Sequence, residues 1–180
     1  VREETEIGKQ VKHLVREGRQ VSDQLISEIV LKKLDQCMGL RQSFVLDGFP
    51  QTLPQWEILQ DFLAKHPDHP VSTICIEVEP ETALKRMTGR LNCFQCESIY
   101  HQEMSPPAQE GICDRCQIPL IKREGDAPEY ASQRLEQFER TTKKVMEYVS
   151  GFPHVFSIDG NLPLQSVQSS FNHILKHHEI

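Results

Sequence analysis

Apolar residues recur at helical spacing along several stretches of the chain, with short continuous apolar runs between them. Ile7, Val11, Leu14 and Val15 share one face of a predicted helix over residues 1–18, and Gly18 stands where its C-cap would be. Ser22-Asp23 offers an N-cap to a second helix. Its Leu25, Ile26, Ile29, Val30 and Leu34 predict one buried stripe, closed at Gly39. Ser43-Phe44-Val45-Leu46 predicts a short buried strand that runs into Asp47-Gly48-Phe49-Pro50. Helical spacing returns over 54–65 with Trp56, Leu59, Phe62 and Leu63. A second strand is predicted at 72–78, after Pro67 and Pro70, and Pro80 opens a helix through Met87. From Leu91 to Lys122 the periodicity collapses into cysteines, prolines and glycine. A single long helix is then predicted over 128–149, with Ala131, Leu135, Phe138, Thr142, Val145 and Val149 on one face. Residues 154–158 read as a third strand, Asp159-Gly160 as a turn, and 164–177 as a closing helix.

Strands separated by helices predict an α/β fold whose parallel sheet is covered on both faces. Three strands are few for 180 residues, and the chain opens on Val1 with Val-Arg-Glu-Glu-Thr already helical. Both features predict further strands upstream of Val1. A hydrophobic share of 38% and a charged share of 26% fit a globular chain able to bury a core. No apolar run approaches the ~18 residues of a membrane span, and no signal peptide opens the sequence. A membrane partner is therefore not expected, and a cytoplasmic location is. The net charge of -6 weighs against a nucleic-acid partner, which calls for a basic surface.

Chemistry first enters with the cysteines. Cys93-x-x-Cys96 and Cys113-x-x-Cys116 are two CxxC pairs with sixteen residues between them. Two thiolates on each of two tight turns can close a tetrahedron around Zn²⁺ at about 2.3 Å. The alternatives are a disulfide pair, a redox motif or coincidence; a disulfide framework is disfavoured by the lack of a secretory signal and by Cys37 and Cys75 lying in apolar runs. Four sulfurs leave no open coordination position, so such a metal is structural. His101 is the alternative ligand, and with four cysteines present it reads as a surface residue. Cys37 and Cys75 read as buried small hydrophobes.

Asp47 stands at the end of a predicted parallel strand, where open α/β sheets bind ligands. Asp-Gly is equally a turn dipeptide. Arg86 and Arg90 lie four apart on one helix face before the cysteines; Arg123 and Arg134 follow them. Such planar forks suit phosphate oxygens, and an insertion flanked by them suits a lid over a polyphosphate. The competing reading is a solvated face salt-bridged by Glu81, Glu129 and Glu136.

Taken together these residues resemble the adenylate kinase family in its long form with a zinc-bearing lid. Gly8-Lys9-Gln10 with Gly18 to Leu25 looks like the helical arm around AMP. Asp47-Gly48-Phe49-Pro50 through Gln55 is similar to the family's strand-end motif. Arg86, Arg90, the four cysteines and Tyr100-His101 look like the entry to the lid, Arg123 to Arg134 like its exit. Ile158-Asp159-Gly160 is similar to the segment whose backbone faces the ATP adenine.

The resemblance implies a P-loop-kinase-like parallel sheet flanked by helices, with an AMP-binding helical arm and a small zinc-bearing β lid. It implies a division into 1–36 as arm, 37–90 as core, 91–122 as lid and 123–180 as core continuation. It implies a monomer that transfers the γ-phosphoryl of ATP to AMP, giving two ADP, with Mg²⁺ accompanying ATP. Residue by residue, Arg19, Val21, Ile26, Gly48, Phe49, Gln51 and Gln55 would surround AMP. Arg86 and Gly160 would meet the ATP adenine. Arg90, Arg123 and Arg134 would gather on the transferring phosphates, and Asp47 would orient Mg²⁺-bound water.

The sequence departs from the family's pattern in two places. No segment reads GxxxxGK(S/T), the loop that cradles ATP phosphates. A strand–loop–helix unit of roughly 30 residues is thus expected upstream of Val1. Gln51 stands where the family usually has an arginine, and a neutral amide forms no charge-assisted fork. Gly125, where an acidic residue is often found, is a milder change. These departures keep other readings open: an impaired nucleotide-binding homologue, a kinase for GMP, CMP or UMP, or a zinc-ribbon interaction module.

Overall fold

The computed structural model describes residues 22–177. The helix expected over 1–18 lies outside the described residues, as do Arg19 and Val21. In chain order the elements are α1 (Asp23–Gly39), α2 (Leu53–Leu63), β1 (Thr73–Glu77), α3 (Pro80–Thr88), β2 (Arg90–Asn92) and β3 (Ile99–His101). A 3-10 turn (Glu124–Asp126), α4 (Pro128–Arg140), α5 (Thr142–Val149), β4 (Val155–Asp159) and α6 (Leu164–His177) follow. They fall into two compact units. Unit 1 comprises the described residues up to Val71 with Thr141–Val149, and unit 2 comprises Ser72–Arg140 with the chain from Ser150 onward.

Unit 1 is helical. Ser22, in extended conformation, caps α1 by accepting the Leu25 N–H at 3.3 Å. Thr52 caps α2 in the same way through the Gln55 N–H, with Pro54 in the first turn. The predicted stripe on α1 is only partly buried: Leu34 and Met38 are, together with Ser27, whereas Ile29 is 37% exposed. Among the described residues α1 packs chiefly on α2, and one neighbouring helix covers one narrow seam. Cys37 is accordingly half-buried rather than buried. Trp56 and Leu59 of α2 and Val145 and Val149 of α5 supply the rest of this core.

The strand predicted at 43–46 does not form. These residues carry no strand, and Val45 is 87% exposed. An apolar run becomes a strand only where a ladder accepts it, and among the described residues none pairs with it.

Unit 2 holds the parallel sheet, where two of the three predicted strands form. β1 and β4 pair in register from Thr73↔Val155 to Glu77↔Asp159. Helix α6 covers β4 and buries Ile174, and α3 packs on α4, where Ala131 is fully buried. Cys75 is buried, as expected. The long helix predicted over 128–149 breaks at Thr141, giving α4 in unit 2 and α5 in unit 1. Two successive β-branched threonines weaken the helix there. The Thr141 carbonyl then starts a fresh ladder, accepting the Lys144 and Val145 N–H groups at 3.1 and 3.4 Å.

Candidate functional site

The loop-like stretch after α3 folds back on itself through minimal pairing. β2 and β3 form a short antiparallel hairpin, and isolated bridges join Asn92 to Ile121 and Ile112 to Pro119. Two matching turns present the cysteines. In the first, Cys93 N–H donates to the Ser98 carbonyl at 3.0 Å and Glu97 N–H donates back to Cys93 at 3.0 Å. In the second, Cys113 N–H donates to Ile118 and Gln117 N–H donates to Cys113, both at 2.9 Å. Each turn closes on a left-handed residue, Glu97 at φ 59° and Gln117 at φ 55°.

The ligand atoms of Cys93, Cys96, Cys113 and Cys116 all lie within 4.8 Å of one another, and all four thiols are free. The Cys96 and Cys113 sulfurs are 3.6 Å apart. Sulfurs about 2.3 Å from a tetrahedral centre would sit about 3.8 Å apart, so the donor set fits a metal of zinc's size and softness. Packed so closely, the thiols divide their protons unevenly. Hydrogen bonding to Ser98 lowers Cys96 to about 6, while hydrogen bonding to Cys96 and burial push Cys116 up to about 12. A divalent cation removes that conflict. Tyr100 braces the second turn, its hydroxyl accepting the Asp114 N–H at 3.0 Å and lying 3.6 Å from the Cys113 sulfur. His101 stands outside the cluster, with backbone groups on both ring nitrogens.

Arg90 and Arg134 converge on a residue that sequence reasoning missed. Asp126 ends the 3-10 turn with its side chain 1% exposed. Arg90 grips it with a two-point fork, Nε to Oδ2 at 2.8 Å and Nη2 to Oδ1 at 2.5 Å, and Arg134 Nη1 stands 3.6 Å from Oδ1. The Arg90 hydrogen bonds first, then the charges of Arg90, Arg134 and Arg123, hold the Asp126 carboxyl below the usual carboxylate range. The same bond raises Arg90. The expected partners Glu81, Glu129 and Glu136 take no part in these pairs; Glu136 stands 3.9 Å from Arg140. One carboxylate facing three guanidinium charges leaves an excess of positive charge. The signal in the sequence was only an aspartate two residues before Pro128, indistinguishable from an ordinary helix-start acid.

Arg86 and Gly160, expected on one nucleotide, do meet. Arg86 Nη1 donates to the Gly160 carbonyl at 2.6 Å. Gly160 is pressed into the end of the sheet. Its N–H donates to the Glu77 carbonyl at 2.7 Å, and a Cβ there would come within 2.6 Å of Val78 and 2.8 Å of Ile76. Only glycine fits.

In unit 1, Gln51 and Gln55, two of the residues expected around AMP, are linked through Gln55 to Asp23, a second residue that sequence reasoning assigned to a helix start. Its carboxylate accepts the Thr52 hydroxyl at 2.8 Å and the Gln55 Nε2 at 2.7 Å. Gln55, 3% exposed, in turn accepts the Gln51 N–H at 2.7 Å. The Gln51 carbonyl accepts the Thr142 hydroxyl at 3.4 Å. Gly48 turns the chain at φ 75°, in the region that favours glycine. Asp47 is exposed in the same bend, while Phe49 and Ile26 are half-buried.

Comparison with known proteins gives one consistent result. The family model described as adenylate kinase matches residues 1–152. The adenylate kinase of Finegoldia magna is 37% identical over 167 residues, covering 93% of this chain and 77% of the relative. That of Clostridium novyi is 33% identical over 181 residues, covering 99% and 81%. That of a Thermoanaerobacter species is 36% identical over 178 residues, covering 98% and 79%. The fold, the cysteine module and these similarities agree: the chain belongs to the adenylate kinase family.

Proposed function

We propose that this protein transfers the γ-phosphoryl group of ATP to AMP, giving two ADP, and so serves adenine nucleotide balance. The observation that carries this reading is the grouping of Arg90, Arg134 and Arg123 about the buried carboxylate of Asp126, beside the cysteine module. Phosphoryl transfer asks a protein mainly for positioning and for positive charge aimed at the equatorial oxygens. Asp126 holds the Arg90 fork before a nucleotide arrives, so little reorganisation of that side chain would remain at the moment of reaction. Arg86 and Gly160 would receive the ATP adenine. Ile26, Gly48, Phe49, Gln51 and Gln55, with Arg19 and Val21, would receive AMP, and Asp47 would orient Mg²⁺-bound water. Mg²⁺ bound with ATP would supply positive charge against the phosphates. Zinc is the metal proposed for the four sulfurs, in a purely structural role. A cytoplasmic monomer is the form this reading expects.

ADP formation from ATP and AMP tests it, with GMP, CMP and UMP as competing acceptors. The 180 residues contain no GxxxxGK(S/T) loop and are expected to form negligible ADP alone. A chain carrying such a loop upstream is expected to turn over, and Arg90→Ala in that chain to lose about a thousandfold in kcat. Equal turnover with and without the loop, or none in either, overturns the reading. Gln51 favours a second reading, in which both nucleotides bind and no phosphoryl group moves. Calorimetric binding of ATP and AMP by the longer chain without ADP formation would select it.

A further inference from the structure

His101 takes no part in the sulfur cluster or the arginine cluster, yet its ring ties two elements together. Nδ1 lies 3.1 Å from the backbone nitrogens of both Glu103 and Met104, whose N–H groups donate to it. An atom that accepts two hydrogen bonds carries no proton. Nε2 lies 3.2 Å from the Lys85 carbonyl oxygen in the last turn of α3, an atom that can only accept and that also takes the Gly89 N–H at 3.1 Å. The partners therefore assign the neutral Nε2–H tautomer. The ring rests against Gly89, where any Cβ would run into Nε2 and would meet Cε1 at 2.5 Å. Beside it the Gln102 N–H donates to the Gly89 carbonyl at 2.9 Å. The nearby charges are engaged elsewhere: Lys85 Nζ with Glu103 at 2.6 Å, Arg90 with Asp126.

The two elements so joined are the ones that carry arginines. Arg86 directly follows Lys85, and Arg90 directly follows Gly89 and stands opposite His101 in the hairpin register. We propose that His101 is a positioning residue whose Nε2–H tautomer staples β3 to the last turn of α3 and fixes the spacing of Arg86 and Arg90. The purpose of that spacing rests on the nucleotide reading above; the staple itself does not. Glycine at position 89 is part of the device, because a side chain there would displace the ring.

The test is nitrogen NMR and amide exchange on the metal-loaded chain, with two substitutions that divide the ring's duties. Asparagine can present an acceptor where Nδ1 stands but is too short to reach Lys85. Glutamine can reach Lys85 but gives up the Nδ1 acceptor. In the unsubstituted protein the ring should show the Nε2–H signature. His101→Asn should leave the Glu103 and Met104 amides slow while Gln102 exchanges about tenfold faster, the loss of roughly one hydrogen bond. The Arg90 Nε–H resonance should broaden in the same variant. His101→Gln should do the reverse, speeding Glu103 and Met104 while keeping Gln102 slow and Arg90 sharp. An Nδ1–H signature overturns the proposal without any variant. So does joint movement of both amide sets in either variant, or an Arg90 signal indifferent to asparagine. The predicted pattern, together with no ATP binding by a chain that carries a GxxxxGK(S/T) loop upstream, leaves the staple standing and removes the nucleotide reading alone.

Discussion

The cysteine module over 91–122 and the helices of unit 1 are ordered by different chemistry. The module buries few apolar side chains. Phe94, Ile99, Met104 and Ile121 are all exposed, and only Asn92, Cys93 and Cys113 are fully enclosed. Its order comes from four convergent sulfurs and from two matching turns whose backbone bonds are local in sequence. Unit 1 does the opposite. Leu34, Met38, Trp56, Leu59, Val145 and Val149 are buried, drawn from three helices far apart in the chain, and Asp23 adds a polar clasp between α1 and α2. Closed by the metal proposed for its four sulfurs, the module would stand or fall with one ligand set, whereas a region closed by packing loses stability in proportion to what is removed.

Chelation is the sharpest way to separate the two. Removing the metal, or changing Cys113→Ser, should abolish amide protection over 91–122, since structural zinc contributes on the order of 10 kcal/mol to such modules. Protection of α1 and α2 should not move; a chelator that melts both regions together would end the contrast. Leu34→Ala reverses the experiment. It should cost unit 1 about 3 kcal/mol and leave metal content at one per chain.

Asp126→Asn probes the polar junction beside the module and should cost about 3 kcal/mol by stranding Arg90. The pH dependence follows from the same pair. The folded-state carboxyl of Asp126 is depressed, so its contribution is complete above the unfolded value near 4 and is lost as pH falls through the lower folded value. Acid melts should therefore show an Asp126-dependent loss only below about pH 4, absent from the asparagine variant. The smallest expected effect is a gain. Asn92 is 5% exposed and both its side-chain polar atoms lack hydrogen-bond partners. Asn92→Leu should raise the melting point of the metal-loaded module, by roughly 1 kcal/mol in stability. A loss would mean that the amide serves a purpose.

What the sequence made legible followed the same division. The CxxC pairs were readable because each turn is built within six residues, so spacing alone carries its geometry. Ser22 shows the same locality in a helix cap, and Pro80 opens α3 as its position suggested. The failures are all non-local. Residues 43–46 have the composition of a strand and, among the described residues, lack a ladder to join. Ile29 has helical phase and, among the described residues, lacks a second helix to cover it. Helical periodicity ran unbroken across Thr141, because the apolar face on either side keeps phase while the backbone does not. Asp126 and Asp23 were hidden for a related reason. An acid at a helix start looks the same whether it merely caps or gathers distant side chains, and only the folded chain distinguishes the two.

Trp56 is the single tryptophan of the 180 residues, and it is buried in unit 1. The chain's indole emission is thus a private reporter of the three helices. A heating curve followed by that emission traces one sigmoid for unit 1, while the cysteine module contributes its transition only to probes of its tyrosine and its thiolate–metal absorption. Paired optical channels on one sample can therefore rank the two melting events without any label.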